Sequence, residues 1–260
     1  MTMNTSQLSK LIPILIVVAL VGCQPKQESS KETAKLDIPL IQAKVIPVKL
    51  PKQKVCLEDG CTNYDLQTVE TNQKWIDEYL VNRMKKAEPN AFANLPDQKV
   101  KVPADEPSLS ESSTYVRFIG QNYNLATFAI QSYSYSAGAA HGMSHQEFVN
   151  FDLSNKKHIT VSELIKPEMN TKLRDELYAS NQNWLEDHNI KKQDLQLSDN
   201  YYYGVNGIVF VYPLYELASY AEGMSELTLP YYAAKQFIKA EYLPSLPVVE
   251  AVTEKAPQAE

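Results

Sequence analysis

His141 and His145 stand four positions apart, with Glu147 just beyond. On a helix, imidazoles so spaced share one face and could hold a zinc ion that activates water. Here they lie in a glycine-containing turn entering a strand. The glutamate does not directly follow the first histidine, and a third ligand would have to come from His158 or His188. The competing reading is structural: His141 bonds backbone groups of the Gly138–Gly142 turn, and His145 is a surface strand residue. We adopt that reading and expect neither a metal nor a cofactor. Ser136-Ala137-Gly138 lacks the glycine two positions before a serine that a nucleophile elbow requires. No phosphate-cradling loop or dinucleotide fingerprint is present. Asp152, Glu163 and Glu216 are available as acids, but no pairing is legible. No catalytic residue is therefore assigned, and the chain reads as a non-enzyme. The enzymatic alternative is a metal-dependent wall hydrolase centred on His141.

The cysteines carry the other chemistry. Lys10 precedes an apolar run, Leu11–Leu20, of the length of a signal-peptide core and too short to span a bilayer. Leu20-Val21-Gly22-Cys23 then resembles the lipobox of bacterial lipoproteins. Met1–Gly22 is expected to be removed, and the Cys23 thiol to take a diacylglycerol that anchors the chain to a membrane. Gln24, not Asp, follows the anchor. By that sorting rule the destination is the outer membrane, facing the periplasm, in a Gram-negative host. Export places Cys56 and Cys61 in an oxidising compartment, where such a pair forms a disulfide. The acidic turn ending in Gly60 brings the sulfurs together, and closing so short a loop contributes on the order of 2 kcal/mol.

The net charge is -6, and removal of Lys10 with the leader makes it about -7. With no cluster of Lys and Arg, nucleic acid is excluded as a partner. An acidic surface favours a basic one.

These groups need a scaffold. Residues 23–35 are polar and read as a flexible tether, and 248–260 as a disordered tail. Between them, 36–108 and 109–247 are expected to form two contiguous subdomains. Edge strands are expected in Ile38–Leu50 and a helix over Thr71–Lys86, with Trp75, Ile76, Tyr79, Leu80 and Met84 on one stripe. Thr114–Ile119 and Asn124–Tyr135 flank a hairpin at Gly120–Tyr123. Ser144–Leu153 and His158–Val161 follow as strands, and Ser162 caps a turn over Glu163–Lys166. One long helix is expected from Pro167 to Glu186. Asn200–Tyr203 and Ile208–Tyr212 form a hairpin around Asn206-Gly207. Glu226–Leu229 is the last strand, and Pro230 opens a helix to Tyr242. The fold class is α+β: an antiparallel sheet with helices packed on one face.

Two ordered blocks resemble the RsiV-like extracytoplasmic domain family. The first is Ala137-Gly138-Ala139-Ala140-His141-Gly142 with Phe148-Val149-Asn150-Phe151-Asp152. The second is Phe210-Val211-Tyr212-Pro213-Leu214-Tyr215-Glu216, then Tyr220-Ala221-Glu222-Gly223 and Leu229-Pro230-Tyr231. The resemblance covers about 114–243. The segment before it is similar to the partner domain found N-terminal to this one, as in PdaC-type deacetylases. Ala139 stands where the family has a second glycine, which would strain the turn if that position takes a positive φ. The resemblance implies an outer domain that binds a lysozyme-like muramidase or a peptidoglycan-derived ligand, for envelope protection or sensing. It implies neither sigma-factor signalling nor deacetylation, because the segments for those are lacking. The remaining alternative is an envelope scaffold that does not bind lysozyme.

Tyrosines crowd residues 201–232, and tyrosine is enriched in recognition surfaces. Pro213, Tyr215 and Glu216, just after a strand end, are the partner-binding residues we expect.

Overall fold

The computed structural model describes residues 38–103 and 105–244, all within one compact unit, Asp37–Glu260. The expected leader 1–22, lipid-accepting Cys23, tether 23–35 and tail 248–260 lie outside the described residues. Among the described residues, no helix is long and apolar enough to cross a membrane.

The architecture is α+β, built on two sheets. The larger one contains β1 (Ala43–Pro47), β2 (Lys54–Leu57), β3 (Gly60–Thr71), β4 (Leu109–Asn122), β5 (Leu125–Tyr135), β6 (Met143–Asp152) and β7 (Lys157–His158). Its order is β1-β3-β4-β5-β6-β7, with β2 hairpinned onto β3. The smaller sheet has the order β10-β9-β8, from β8 (Tyr201–Tyr203), β9 (Gly207–Tyr212) and β10 (Ser225–Pro230).

Each sheet carries helices on one of its faces. Helix α1 (Lys74–Ala87) lays Ile76, Leu80 and Met84 on Leu66, Val116, Phe128, Val149 and Phe151 of the large sheet. Beyond β7 come α3 (Val161–Leu164), α4 (Asn170–Ser180), α5 (Gln182–Asp187) and α6 (Tyr231–Phe237); α2 (Pro89–Phe92) is a short turn after α1. Leu164, Leu173, Leu177, Leu185 and Phe237 of this group pack on Ile208, Phe210 and Tyr212 of β9. The alternate residues Val209 and Val211 meet Ala129 and Phe148 on the second face of the large sheet. Buried on both sides, β9 has no polar residue to turn outward, which explains its unbroken apolar run.

Several expectations shift. The strand β3 is not legible in the sequence, because its Thr, Asn, Asp and Gln residues mask the period-2 pattern. It pairs with β4 in parallel, from Cys61↔Leu109 to Gln67↔Tyr115. This is an exception to the antiparallel rule, and it draws strands on both sides of residue 108 into one sheet. A parallel pair needs a long crossover, which α1, α2 and the segment after them provide. The β4–β5 turn lies at Tyr123-Asn124, and Gly120 sits at a bulge inside the pairing instead. The cap at α3 is Thr160, which forms a reciprocal capping box with Glu163. The expected helix Pro167–Glu186 breaks at Asn181. That side chain accepts from Thr228 N at 3.1 Å and donates to Thr228 O at 3.0 Å, satisfying the open edge of β10. The final helix stops at Phe237, and Tyr242 follows in a separate 3-10 turn.

Cys56 and Cys61 are disulfide-bonded as directly paired residues of the β2–β3 hairpin.

Candidate functional site

Two asparagines, Asn150 buried and Asn200 half-buried, join the sheets behind the site. Asn150 accepts from Thr127 Oγ1 at 2.7 Å and donates to the Tyr201 carbonyl at 2.7 Å. Asn200 accepts from Phe148 N at 2.8 Å and donates to the Gln146 carbonyl at 2.7 Å. The outer edge of β6 is thereby tied to the start of β8. As a result the β5–β6 connection and the β9–β10 connection emerge at the same end of the molecule.

The β5–β6 connection begins as a β-turn, with Ala139 N donating to Ser136 O at 2.9 Å. Gly138 takes its third position with φ 79°, where a type II turn favours glycine. Ala139 is not among the positive-φ residues, so the departure from paired glycines creates no strain there. Gly142 needs its missing side chain for a different reason: a Cβ there would overlap the ring of Tyr133 on β5.

Gly142 is also the meeting point with the second connection. Its carbonyl accepts from Tyr220 Oη at 3.1 Å, and His141 Nδ1 lies 3.0 Å from the same oxygen. The His141 ring lies against the Tyr220 ring, with centroids 4.5 Å apart. Tyr220 in turn stacks on Tyr215 at 5.7 Å. The three rings form a continuous aromatic ridge, and Tyr215 is 58% exposed.

Tyr215 is held in an uncommon backbone conformation. The turn Pro213-Leu214-Tyr215-Glu216 closes through Glu216 N to Pro213 O at 3.2 Å, and Tyr215 takes φ 69°. A bulky residue rarely adopts that region, and such outliers cluster where an exposed side chain must be aimed. Pro213 and Glu216 flank it, both exposed.

The 3-10 turn Tyr220–Glu222 is pinned from its other side. Ser219 and Glu222 form a capping box, and Glu222 pairs with His188 at 2.6 Å. His188 stacks on Trp184 with ring centroids 3.9 Å apart and faces the Trp184 carbonyl at 2.8 Å. The Glu222 carboxylate and then that carbonyl raise the His188 pKa, and His188 lowers that of Glu222.

The structure thus joins Gly138, His141 and Gly142 to Pro213, Tyr215 and Glu216 through one residue, Tyr220. Sequence reasoning named Tyr220 within a family block but gave it no role. Tyr133 was missed; His188 enters the sequence reading only as a possible third metal ligand and Glu222 only within a family block, because their pairing spans 34 positions of chain. His145 sits apart from the ridge, lining a cleft of about 260 Å³ with Arg83, Glu88 and Glu147 between α1 and the sheet. Among the described residues there is no group of three His, Cys, Asp or Glu side chains that could hold a metal.

Other tyrosines are struts. Tyr201 Oη donates to Ile159 O at 2.9 Å, Tyr212 Oη to Gln196 O at 2.8 Å, and Tyr231 Oη to Gly204 O at 2.7 Å. Burial raises all three pKa values, that of Tyr231 to about 12.

Residues 152–232 match the protein family described as a protein of unknown function, DUF3298. That stretch contains the whole Pro213–Glu222 arm of the ridge but not the Gly138–Gly142 arm. No curated protein matches the chain. Among solved structures, a DUF3298 family protein from Pseudomonas aeruginosa PAO1 is similar in fold, with TM-score 0.61 and 17% identity. The match covers 80% of this chain and 99% of that one. A member of the DUF3298 family from Bacteroides fragilis NCTC 9343 is also similar. It has TM-score 0.55 and 16% identity, over 78% of this chain and 96% of that one. At these identities the likeness is one of fold. The chain therefore contains a DUF3298 domain within an α+β fold shared with proteins of that family.

Proposed function

We propose that this chain is an RsiV-like cell-envelope recognition protein, anchored through lipidated Cys23 at the outer membrane and facing the periplasm. Its role is to bind a lysozyme-like muramidase, protecting the wall or sensing attack on it. The supporting observation is the ridge His141–Tyr220–Tyr215, with Tyr215 exposed and held at positive φ. Rigid tyrosines offer large contact area at small entropic cost, as recognition surfaces need. Vertebrate lysozymes are basic, and a chain of net charge -6 would associate with one faster at low salt. The reading is one of binding without catalysis, and no residue of the ridge is given a chemical step. A peptidoglycan-derived ligand is the second reading of the same compartment and resemblance. The segment 36–108 is read as the PdaC-type partner domain.

The experiment is calorimetric titration of Lys35–Glu260, which spans the compact unit Asp37–Glu260, with a basic vertebrate lysozyme at two salt concentrations. Residual muramidase activity is assayed alongside. Binding that weakens with salt, and that falls in Tyr215→Ala and Tyr220→Ala, is expected. Absence of binding at high micromolar protein would remove the muramidase reading. Loss of muramidase activity on binding would make the chain an inhibitor as well as a sensor.

A further inference from the structure

We propose a second binding site, on the uncovered part of the large sheet's second face, that takes an uncharged glycan bearing N-acetylamino groups. Among the described residues, the small sheet covers only the β5–β6 end of that face, around Ala129 and Phe148. Further along the strands a cleft of about 400 Å³ is left open, within the roughly 300–1,000 Å³ typical of small-ligand sites. Tyr115, Gln131, Tyr133, Ser144, Gln146 and Met224 shape it beside His145, and among the described residues its lining contains no Asp, Glu, Lys or Arg. In a chain with net charge -6, such a surface offers nothing to a basic protein and suits a neutral polyhydroxylated ligand.

The polar groups are already oriented. Gln131 and Gln146 are register partners on β5 and β6, and Gln131 Nε2 donates to Gln146 Oε1 at 3.1 Å. That bond leaves Gln131 Oε1 as an acceptor and the Gln146 amide hydrogens as donors, the complement of one acetamido group. The Tyr115 ring is fixed from two directions. Its hydroxyl donates to Asp65 Oδ2 at 2.6 Å, and the Arg117 guanidinium lies 5.4 Å from its ring centre. Arg117 itself donates to the side-chain oxygen Oε1 of Gln67 at 2.9 Å. A ring locked in this way gives a sugar's apolar face a platform that needs no ordering on binding. Pro213, Tyr215 and Glu216 do not line it; the two sites share a wall at Tyr133, whose ring packs against Gly142.

The test uses the full chain in a zwitterionic detergent, titrated with N-acetylglucosamine tetramer and, as control, cellotetraose. Binding is read by ligand-observed saturation-transfer NMR and calorimetry. The acetylated oligomer is expected to bind and cellotetraose not to. Gln131→Ala, at an exposed position, should weaken binding about tenfold with unchanged thermal unfolding, and Tyr215→Ala should leave it unchanged. The proposal is overturned if no signal appears at about 10 mM oligomer. Equal binding of cellotetraose, or indifference to Gln131→Ala, would overturn it as well. Lysozyme titration reads the ridge separately, so either site can fail without the other.

Discussion

Replacing Tyr215 tests whether the ridge is held under backbone strain. At φ 69° a residue with a Cβ sits in the left-handed region, at a cost of roughly 1–2 kcal/mol. Tyr215→Ala keeps that cost and loses the stack on Tyr220, worth about 0.5–1.5 kcal/mol. Tyr215→Gly loses the same stack but relieves the strain, against an added unfolded-chain entropy of about 0.4–1 kcal/mol. The glycine variant should therefore be more stable than the alanine variant by about 0.5–1 kcal/mol. At an ordinary φ the order would reverse, with alanine ahead by about 0.4–1 kcal/mol. The expected gap corresponds to about 1–4 °C in Tm for a domain of this size. Urea unfolding followed by fluorescence of Trp75 and Trp184 gives the stabilities, and lysozyme titration gives the affinities. Both variants should bind at least about tenfold more weakly, because both remove the exposed ring. An alanine variant as stable as the glycine variant, or more so, would refute the strain argument.

Gly142→Ala should destabilise the domain by about 1–3 kcal/mol, since its methyl group must displace the Tyr133 ring; calorimetric unfolding checks this. Asn150→Ala leaves the buried Tyr201 carbonyl and Thr127 hydroxyl without their partner and should cost about 2–3 kcal/mol by urea titration. The His188–Glu222 pair gives a pH window. His188 is raised, so its contribution is complete below its unfolded pKa and lost as pH rises through the raised value; Glu222 is lowered, so its contribution is lost as pH falls through the lowered value. Lysozyme affinity, corrected for its salt dependence, should therefore be higher at about pH 5.5 than at about pH 9, and His188→Ala should abolish the difference. His158 is lowered by burial, so its neutral form stabilises the fold, and that contribution fades as pH falls below its ordinary value; His158→Gln should flatten this part of a stability–pH profile.

Much of the scaffold is readable from local pattern. The α1 stripe of Ile76, Leu80 and Met84 follows from helical spacing, and the β8–β9 hairpin from its Asn-Gly turn. The Cys56–Cys61 pairing follows from two cysteines facing across a short turn. Other features depended on partners far away in the chain. Nothing near β3 announces a parallel pairing with β4, and the break at Asn181 is explained only by the β10 edge that its side chain satisfies. The same holds for the site. Sequence alone placed Gly138–Gly142 and Pro213–Glu216 as separate turns and marked Tyr215 for exposure. It could not show that Tyr220 reaches back 78 positions to Gly142, because hydrogen bonds and ring stacking leave no local periodicity. Residue type and spacing therefore determined the elements and the two turns. Only the joining of the sheets through Asn150 and Asn200 decided that those turns meet as one aromatic ridge.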